Sequence, residues 1–294
     1  MKFLLLVTLL SSTLLANVNA ARWCPQPGLT WDYLLGGEVN DIDRDVVTFD
    51  LEYAEKMVPI LHKRGQKAVC YFSGGTTENR SSRPDIKDYE KAGLAIKETN
   101  DGWDNYMLDV RKKSKLQPLI RKRFQRAVKY GCDAVEVDVL DVHQHYNKFT
   151  KQDSYNFAKW VAETGHEENI SVTLKNLAGQ AEALEPFFDF ATVESCVDYN
   201  ECKHFKKFTQ NNKAVFIVQY KDHPNSKWKL TDAKLKNKLI EAQKNSGFIC
   251  VLSNLNLQSH SENYNCNTGA LISKYYLLFY TLYFYFYFCF YIII

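Results

Sequence analysis

Acidic residues recur at the ends of short apolar runs in this chain. AVEVDVL (134–140) carries Glu136 and Asp138 and runs directly into Asp141, and FATVES (190–195) carries Glu194. Two carboxylates facing each other across a pocket are the equipment for cutting a glycosidic bond, one attacking or activating water and the other delivering a proton. A close pair splits its two ionisations, so that one acid stays charged while the other keeps a proton. Side chains alternate along an extended chain, so Glu136 and Asp138 face the same way and Asp138 lies nearer the C-terminal end. Glu194 holds the comparable place two strands later. Lys175 in SVTLKN (171–176), on the strand between, would hold a carboxylate in its charged form. Asp138 and Glu194 are therefore the expected catalytic pair. Asp50, Asp109, Glu136, Asp141, Lys175, Asn176 and Tyr220, all at or near strand ends, are expected to line the substrate site. The competing reading pairs these acids with Lys175, Arg111 and Arg83 as structural salt bridges. It is the better one for any single acid, but not for acids repeated on successive strand ends.

Other chemistry finds less support. His143-Gln144-His145 could be half a metal site, but no companion ligand stands at useful spacing, and a loop is the better reading. The chain has no CxxC pair, GxSxG, HExxH or phosphate-binding loop, so neither a metal nor a cofactor is expected. Trp23, Trp31 and Trp103 flank the charged segments and could either stack on sugar faces or fill the core.

The elements that would position these residues alternate. Strands are expected at VVTFDL (46–51), KAVCYFS (67–73), NYMLDV (105–110), 134–140, 171–176, 190–195, AVFIVQY (214–220) and FICVLS (248–253), with helical patterns between them. One helix should bury Leu119, Ile120, Phe124 and Val128 and stop at Gly131. Another should start with Asp153 as N-cap, and a third with Thr231. Eight β-then-α units imply an α/β fold closed as a (β/α)8 TIM barrel, with the functional groups at the C-terminal strand ends. A doubly wound open sheet would want a glycine-rich loop after its first strand, where Asp50-Leu51-Glu52-Tyr53 stands instead.

The ends read separately from this body. Residues 1–20 combine Lys2, an apolar run and Val18-Asn19-Ala20, the pattern of a cleaved secretory signal. Residues 21–266 would be the barrel, and 267–294 a hydrophobic tail. Tyr275 to Ile294 is long enough to span a membrane, yet aromatic residues run through its middle. It reads either as a single anchor or as translated AU-rich non-coding sequence, and a membrane contact is expected only on the first reading. With 37 basic and 34 acidic residues, nothing suggests a nucleic-acid partner. The eight cysteines suit an exported protein. Cys196 and Cys202 are close enough to staple one loop, Cys250 and Cys266 could tie the last strand to the segment after it, and Cys24 could reach Cys70; Cys132 has no obvious partner, and the sequence leaves the connectivity open. Sequons begin at Asn79 and Asn169.

Several ordered motifs resemble those of glycoside hydrolase family 114, the endo-α-1,4-polygalactosaminidase type: PGLTWDYLL, KAVCYFSGG followed by RPD, LDVR, GCDAVEVDVLDV, GHEENISVTLKN and FDFATVESCVDYNEC. The similarity runs from Trp23 to Tyr220. It implies a (β/α)8 barrel, a catalytic pair at Asp138 and Glu194, and an enzyme acting on a cationic amino-sugar polymer. Asp138 would be the nucleophile and Glu194 the acid/base of a retaining mechanism, about 5–5.5 Å apart. Around the pair the sequence departs from the family pattern. Val137 and Val139 stand where Pro and Asn are usual, Val193 replaces an Asn and Gln219 an acid, and Asn79 and Arg80 occupy a stretch where an aromatic is typical. The alternative these departures raise is a carbohydrate-binding barrel with weakened turnover.

Overall fold

The computed structural model describes residues 22–36, 39–40, 42–78, 83–99 and 105–272. The signal segment, Trp103, the sequon at Asn79 and the aromatic tail lie outside the described residues.

Eight parallel strands run in the order β1 (Trp31–Leu34), β2 (Val46–Asp50), β3 (Lys67–Ser73), β6 (Ala134–Asp138), β7 (Ser171–Lys175), β8 (Phe190–Glu194), β9 (Val215–Tyr220) and β10 (Ile249–Ser253). The count of eight agrees with the sequence reading, but the membership does not. Trp31–Leu34 is a barrel strand that its short aromatic sequence did not announce. The expected strand at 105–110 is instead β5 (Met107–Leu108), paired antiparallel with β4 (Ala95–Ile96) outside the barrel. Its backbone is consumed there and at the bridge from Met107 to Thr76, so it adds nothing to the main sheet.

The barrel closes by an indirect route. β11 (Glu262–Tyr264) pairs antiparallel with β10, and its side chains rather than its backbone meet β1. The Asn263 amide acts as a detached peptide group: Trp31 N donates to its Oδ1 and its Nδ2 donates to Trp31 O, both at 2.8 Å. Tyr33 N adds a longer bond to Ser261 Oγ at 3.4 Å. These contacts satisfy backbone groups that an open edge would leave unpaired.

Strict alternation separates two cores. Ala134, Phe190, Phe216, Val218 and Val251 point into the barrel with Trp31 and Tyr33. Val135, Val137, Val172, Leu174, Val193 and Ile217 point outward under the helices. α1 (Ala54–Lys63) precedes β3. α2 (Ile86–Lys91) lies between β3 and β4. α3 (Lys113–Tyr130) leads to β6, α4 (Val142–His145) and α5 (Lys151–Glu167) to β7, α6 (Ala181–Leu184) to β8, α7 (Lys206–Gln210) to β9 and α8 (Ala233–Gln243) to β10. On α3 the buried stripe is Leu116, Ile120, Arg123, Phe124 and Ala127; the expected member Val128 is exposed at 44 %. Two caps also sit elsewhere than expected. Thr150, not Asp153, is the N-cap of α5, with Asp153 completing a reciprocal capping box. Asp232, not Thr231, caps α8.

Disulfides join Cys196 to Cys202 and Cys250 to Cys266, as expected, and Cys70 to Cys132. The last corrects the pairing of Cys24 with Cys70. Cys70 faces outward on β3, and Cys132 lies two residues before β6, the neighbour of β3 in the sheet. Cys24 is a free thiol near Asp189, at the opposite end of the barrel from the site.

The pair of bonds made by the Asn263 amide gives a sharp prediction. Asn263→Leu keeps the volume but leaves both Trp31 backbone groups unpaired in a buried seam, and should cost about 2–4 kcal/mol of unfolding free energy in urea titrations. A change below about 0.5 kcal/mol would mean that the Asn263 amide does not help to hold the seam closed.

Candidate active site

Inward-facing positions near the C-terminal ends of β1, β3, β6, β7, β8 and β9 converge on one buried ammonium group. Lys175 is 1 % exposed. Its Nζ donates to Asp138 Oδ1 at 2.9 Å and to the Tyr33 hydroxyl at 3.2 Å, and it lies 2.9 Å from Glu194 Oε2. Glu136 Oε1 is fourth, at 3.5 Å. The shared ammonium means that the nearest oxygens of Asp138 and Glu194 can be no farther apart than twice 2.9 Å.

Each acid has a second anchor. Tyr71 OH donates to Asp138 Oδ2 at 3.0 Å. Tyr220 OH donates to Glu194 Oε1. Asn176 grips Glu194 twice, with Nδ2 donating to Oε2 at 3.1 Å and Oδ1 accepting from the Glu194 backbone N at 2.9 Å. Both acids keep a solvent-facing edge, 23 % exposed for the Asp138 side chain and 27 % for Glu194. Burial alone would raise the Asp138 carboxyl, but the adjacent Lys175 ammonium and its hydrogen bond outweigh burial and hold it below the usual aspartate range. Burial tends to neutralise Lys175, yet the surrounding carboxylates keep it charged far into alkali. Burial, reinforced by the neighbouring carboxylates, raises the phenols of Tyr33, Tyr71 and Tyr220, which therefore remain protonated donors.

The backbone turns sharply as soon as it has delivered each group. Val139 follows Asp138 with φ +59°, Asn176 and Leu177 follow Lys175 with φ +52° and +63°, and Ser195 follows Glu194 with φ +52°. For a β-branched residue this left-handed conformation is strained by about 1–2 kcal/mol, and Val139 stands where the family pattern has Asn, which tolerates it. Gly75 makes the turn possible, since a Cβ there would lie 2.3 Å from Val139 O. Gly74 N in turn donates to Asp138 O at 3.0 Å. Gln219, another of the departures, is fully buried. Its carboxamide oxygen, in the orientation that satisfies it, accepts from Cys196 N at 3.2 Å and Val197 N at 3.3 Å, fastening the loop that follows Glu194.

The expected lining residues divide. Lys175, Asn176 and Tyr220 join the pair directly. Glu136 lies beneath it, fully buried. Asp141 is at the rim, bonded to His145 at 3.1 Å. Asp50 and Asp109 stand apart, and for these two the salt-bridge reading describes what the structure holds. Asp50 meets Arg83 at 2.9 Å within a buried network in which Arg83 and Arg123 also bind Glu52, Glu78 and Asp85. Asp109 meets Arg111 at 2.7 Å. Of the expected stacking residues, Trp31 is inside the barrel at 1 % exposure, and Trp23 packs on Phe190 at the start of β8, at the barrel's far end. Tyr33 and Tyr71 were missed as site residues. The inward phase Val69–Tyr71–Ser73 could have flagged Tyr71, whereas Tyr33 lay on an unread strand.

The sequence profile of glycoside-hydrolase family GH114 matches residues 12–269. The chain belongs to family GH114. It is a glycosidase with a TIM-barrel fold. Among solved structures, it is similar to Ega3 of Aspergillus fumigatus in complex with galactosamine, at 27 % identity and a TM-score of 0.73, covering 84 % of this chain and 99 % of that one. The glycoside hydrolase domain of PelA from Pseudomonas aeruginosa shares the fold, at 15 % identity and a TM-score of 0.59, over 80 % of this chain and 98 % of that one. No curated protein sequence matches this GH114 chain.

Removing the central cation tests the electrostatics. Lys175→Met strands buried carboxylates and should cost about 3–5 kcal/mol at neutral pH. The folded-state pKa of Asp138 is depressed, so the stability it supplies is present above its ordinary value of 3.8 and lost as pH falls through the folded value. The deficit of the variant should therefore shrink below pH 3.8. A deficit independent of pH, measured by denaturant unfolding, would contradict an electrostatic role.

Proposed function

We propose that this GH114 protein is a secreted, endo-acting hydrolase of an α-1,4-linked polysaccharide containing galactosamine. Asp138 is the nucleophile and Glu194 the acid/base of a double displacement. The observation that carries this reading is the single ammonium of Lys175 bridging the two carboxylates. The bridge limits their nearest oxygens to the short separation that suits direct attack, not the wider one that admits a water between them. Asp138 has the features of a nucleophile: it is held ionised, and its free edge faces the mouth. Glu194 has hydrogen-bonding partners on both oxygens and an exposed edge from which to reach a leaving oxygen.

A cationic amino-sugar fits the charge of the mouth. Beyond the pair lie Asp141 and Glu201. Burial and the nearby Asp141 raise the Glu201 carboxyl against the pull of His204, a repulsion that a bound amine would relieve. The galactosamine bound by Ega3 supports the same sugar here. Three disulfides agree with action outside the cell. The complete set of anchors on both acids favours turnover over a binding barrel that has lost it.

Incubation with deacetylated galactosaminogalactan should release oligosaccharides. Asp138→Asn and Glu194→Gln should each lower the rate by about 10²–10⁴-fold while retaining polymer binding. Polymer binding without cleavage by the unaltered protein would select the non-hydrolytic barrel, and failure to bind or cleave it would remove this substrate.

A further inference from the structure

Glu136 takes no part in the chemistry above, yet it sits directly beneath it. Its side chain is closed off from solvent. The Lys175 ammonium has three hydrogens, and its three nearest oxygens belong to Asp138, Glu194 and Tyr33. Glu136 is therefore reached through an intermediary, the Tyr33 hydroxyl, which accepts from Lys175 and donates to Glu136 Oε1 at 2.7 Å. Among the described residues no group meets Glu136 Oε2. A buried carboxylate with one hydrogen bond and a bare oxygen is poorly stabilised as an anion. The remaining charged or titratable neighbours offer no second cation: Asp138 lies two residues along the same strand, Glu194 comes from β8, and Tyr71, in register on β3, spends its hydroxyl on Asp138.

We propose that Glu136 is a positioning residue that keeps a proton in the working enzyme and, by remaining neutral, leaves the charge of Lys175 to Asp138 and Glu194. Once ionised, it places a further negative charge under the ammonium and draws that ammonium inward through Tyr33, away from the two catalytic acids it holds together. Activity is then lost as pH rises past the ionisation of Glu136, which burial pushes up to about 7. The buried acid, not either catalytic one, sets the alkaline limit of the enzyme. This inference rests on the assignment of Asp138 and Glu194 as the working pair.

The test compares the unaltered protein with Glu136→Gln, which mimics the neutral acid in shape. With deacetylated galactosaminogalactan as substrate, kcat/KM of the unaltered enzyme should fall on the alkaline side with a midpoint near 7. In the variant that limb should move up by about one pH unit or more, with a loss on the acid side of less than about tenfold. Thermal unfolding supplies a readout that needs no substrate. The raised acid binds its proton more tightly in the folded state between 4.5 and about 7, so the unaltered protein loses stability as pH rises through that window and the variant does not. The Tm of the variant relative to the parent should therefore climb across that interval. An alkaline limb unmoved by the substitution, or a Tm difference flat with pH, would overturn the role given to Glu136. Absence of cleavage by both proteins would count against the glycosidase assignment, and the unfolding comparison would then decide the state of Glu136 alone.

Discussion

One buried ammonium has more oxygen partners around it, three acids and a phenol, than it has hydrogens to give, and the upper half of the barrel is arranged around that shortage. An isolated cation at this depth would lose its proton or unfold its surroundings. Lys175 instead remains charged because Asp138 and Glu194 close on it from β6 and β8, the strands on either side. The same contacts hold the two acids close together without letting them collapse into one another. Tyr71 and Tyr220 then fix the oxygens that Lys175 does not reach, and Asn176 adds a second donor to the Glu194 oxygen that it does. Each donor comes from a different segment, so the geometry of the pair depends on the register of the whole sheet.

That register is maintained at some cost. Three strands end in residues forced into the left-handed region immediately after the functional side chain, and Val139 is the least suited to it. Gly74 and Gly75 accommodate that turn, while Gln219 and the Cys196–Cys202 disulfide secure the loop after Glu194. On the other side of the mouth, the buried arginines Arg83 and Arg123 hold the segment after β3, and Arg123 also donates to Ser73 O at 2.9 Å. Strain at a functional site persists only where its surroundings over-determine it. Here they do so through glycines, a disulfide and paired charges.

Much of this could be read from the order of residues. Alternation in AVEVDVL and FATVES was enough to place Asp138 and Glu194 facing inward at comparable depth, and the spacing of Lys175 put it between them. What escaped was information held in partners distant along the chain. Trp31–Leu34 is four residues of mixed character whose pairing with β2 makes it a strand, so Tyr33 could not be recognised as the link between Lys175 and Glu136. NYMLDV has a strand's composition, but its neighbours route it out of the barrel. Asp50 and Asp109 looked like Asp138 in sequence. Only the folded chain shows that Arg83 and Arg111 have already claimed them. Cys132 lacked a partner until β3 and β6 were seen to be adjacent.

The separation imposed by Lys175 leads to a stereochemical consequence that can be observed without altering the protein. Following the hydrolysis of an α-linked galactosamine oligomer by ¹H NMR from the first turnover shows which anomer is released before mutarotation. Direct attack by Asp138 followed by hydrolysis of the glycosyl-enzyme predicts the α anomer first. Initial release of the β anomer would contradict the account, because it would mean that a water, and not Asp138, attacks the anomeric carbon.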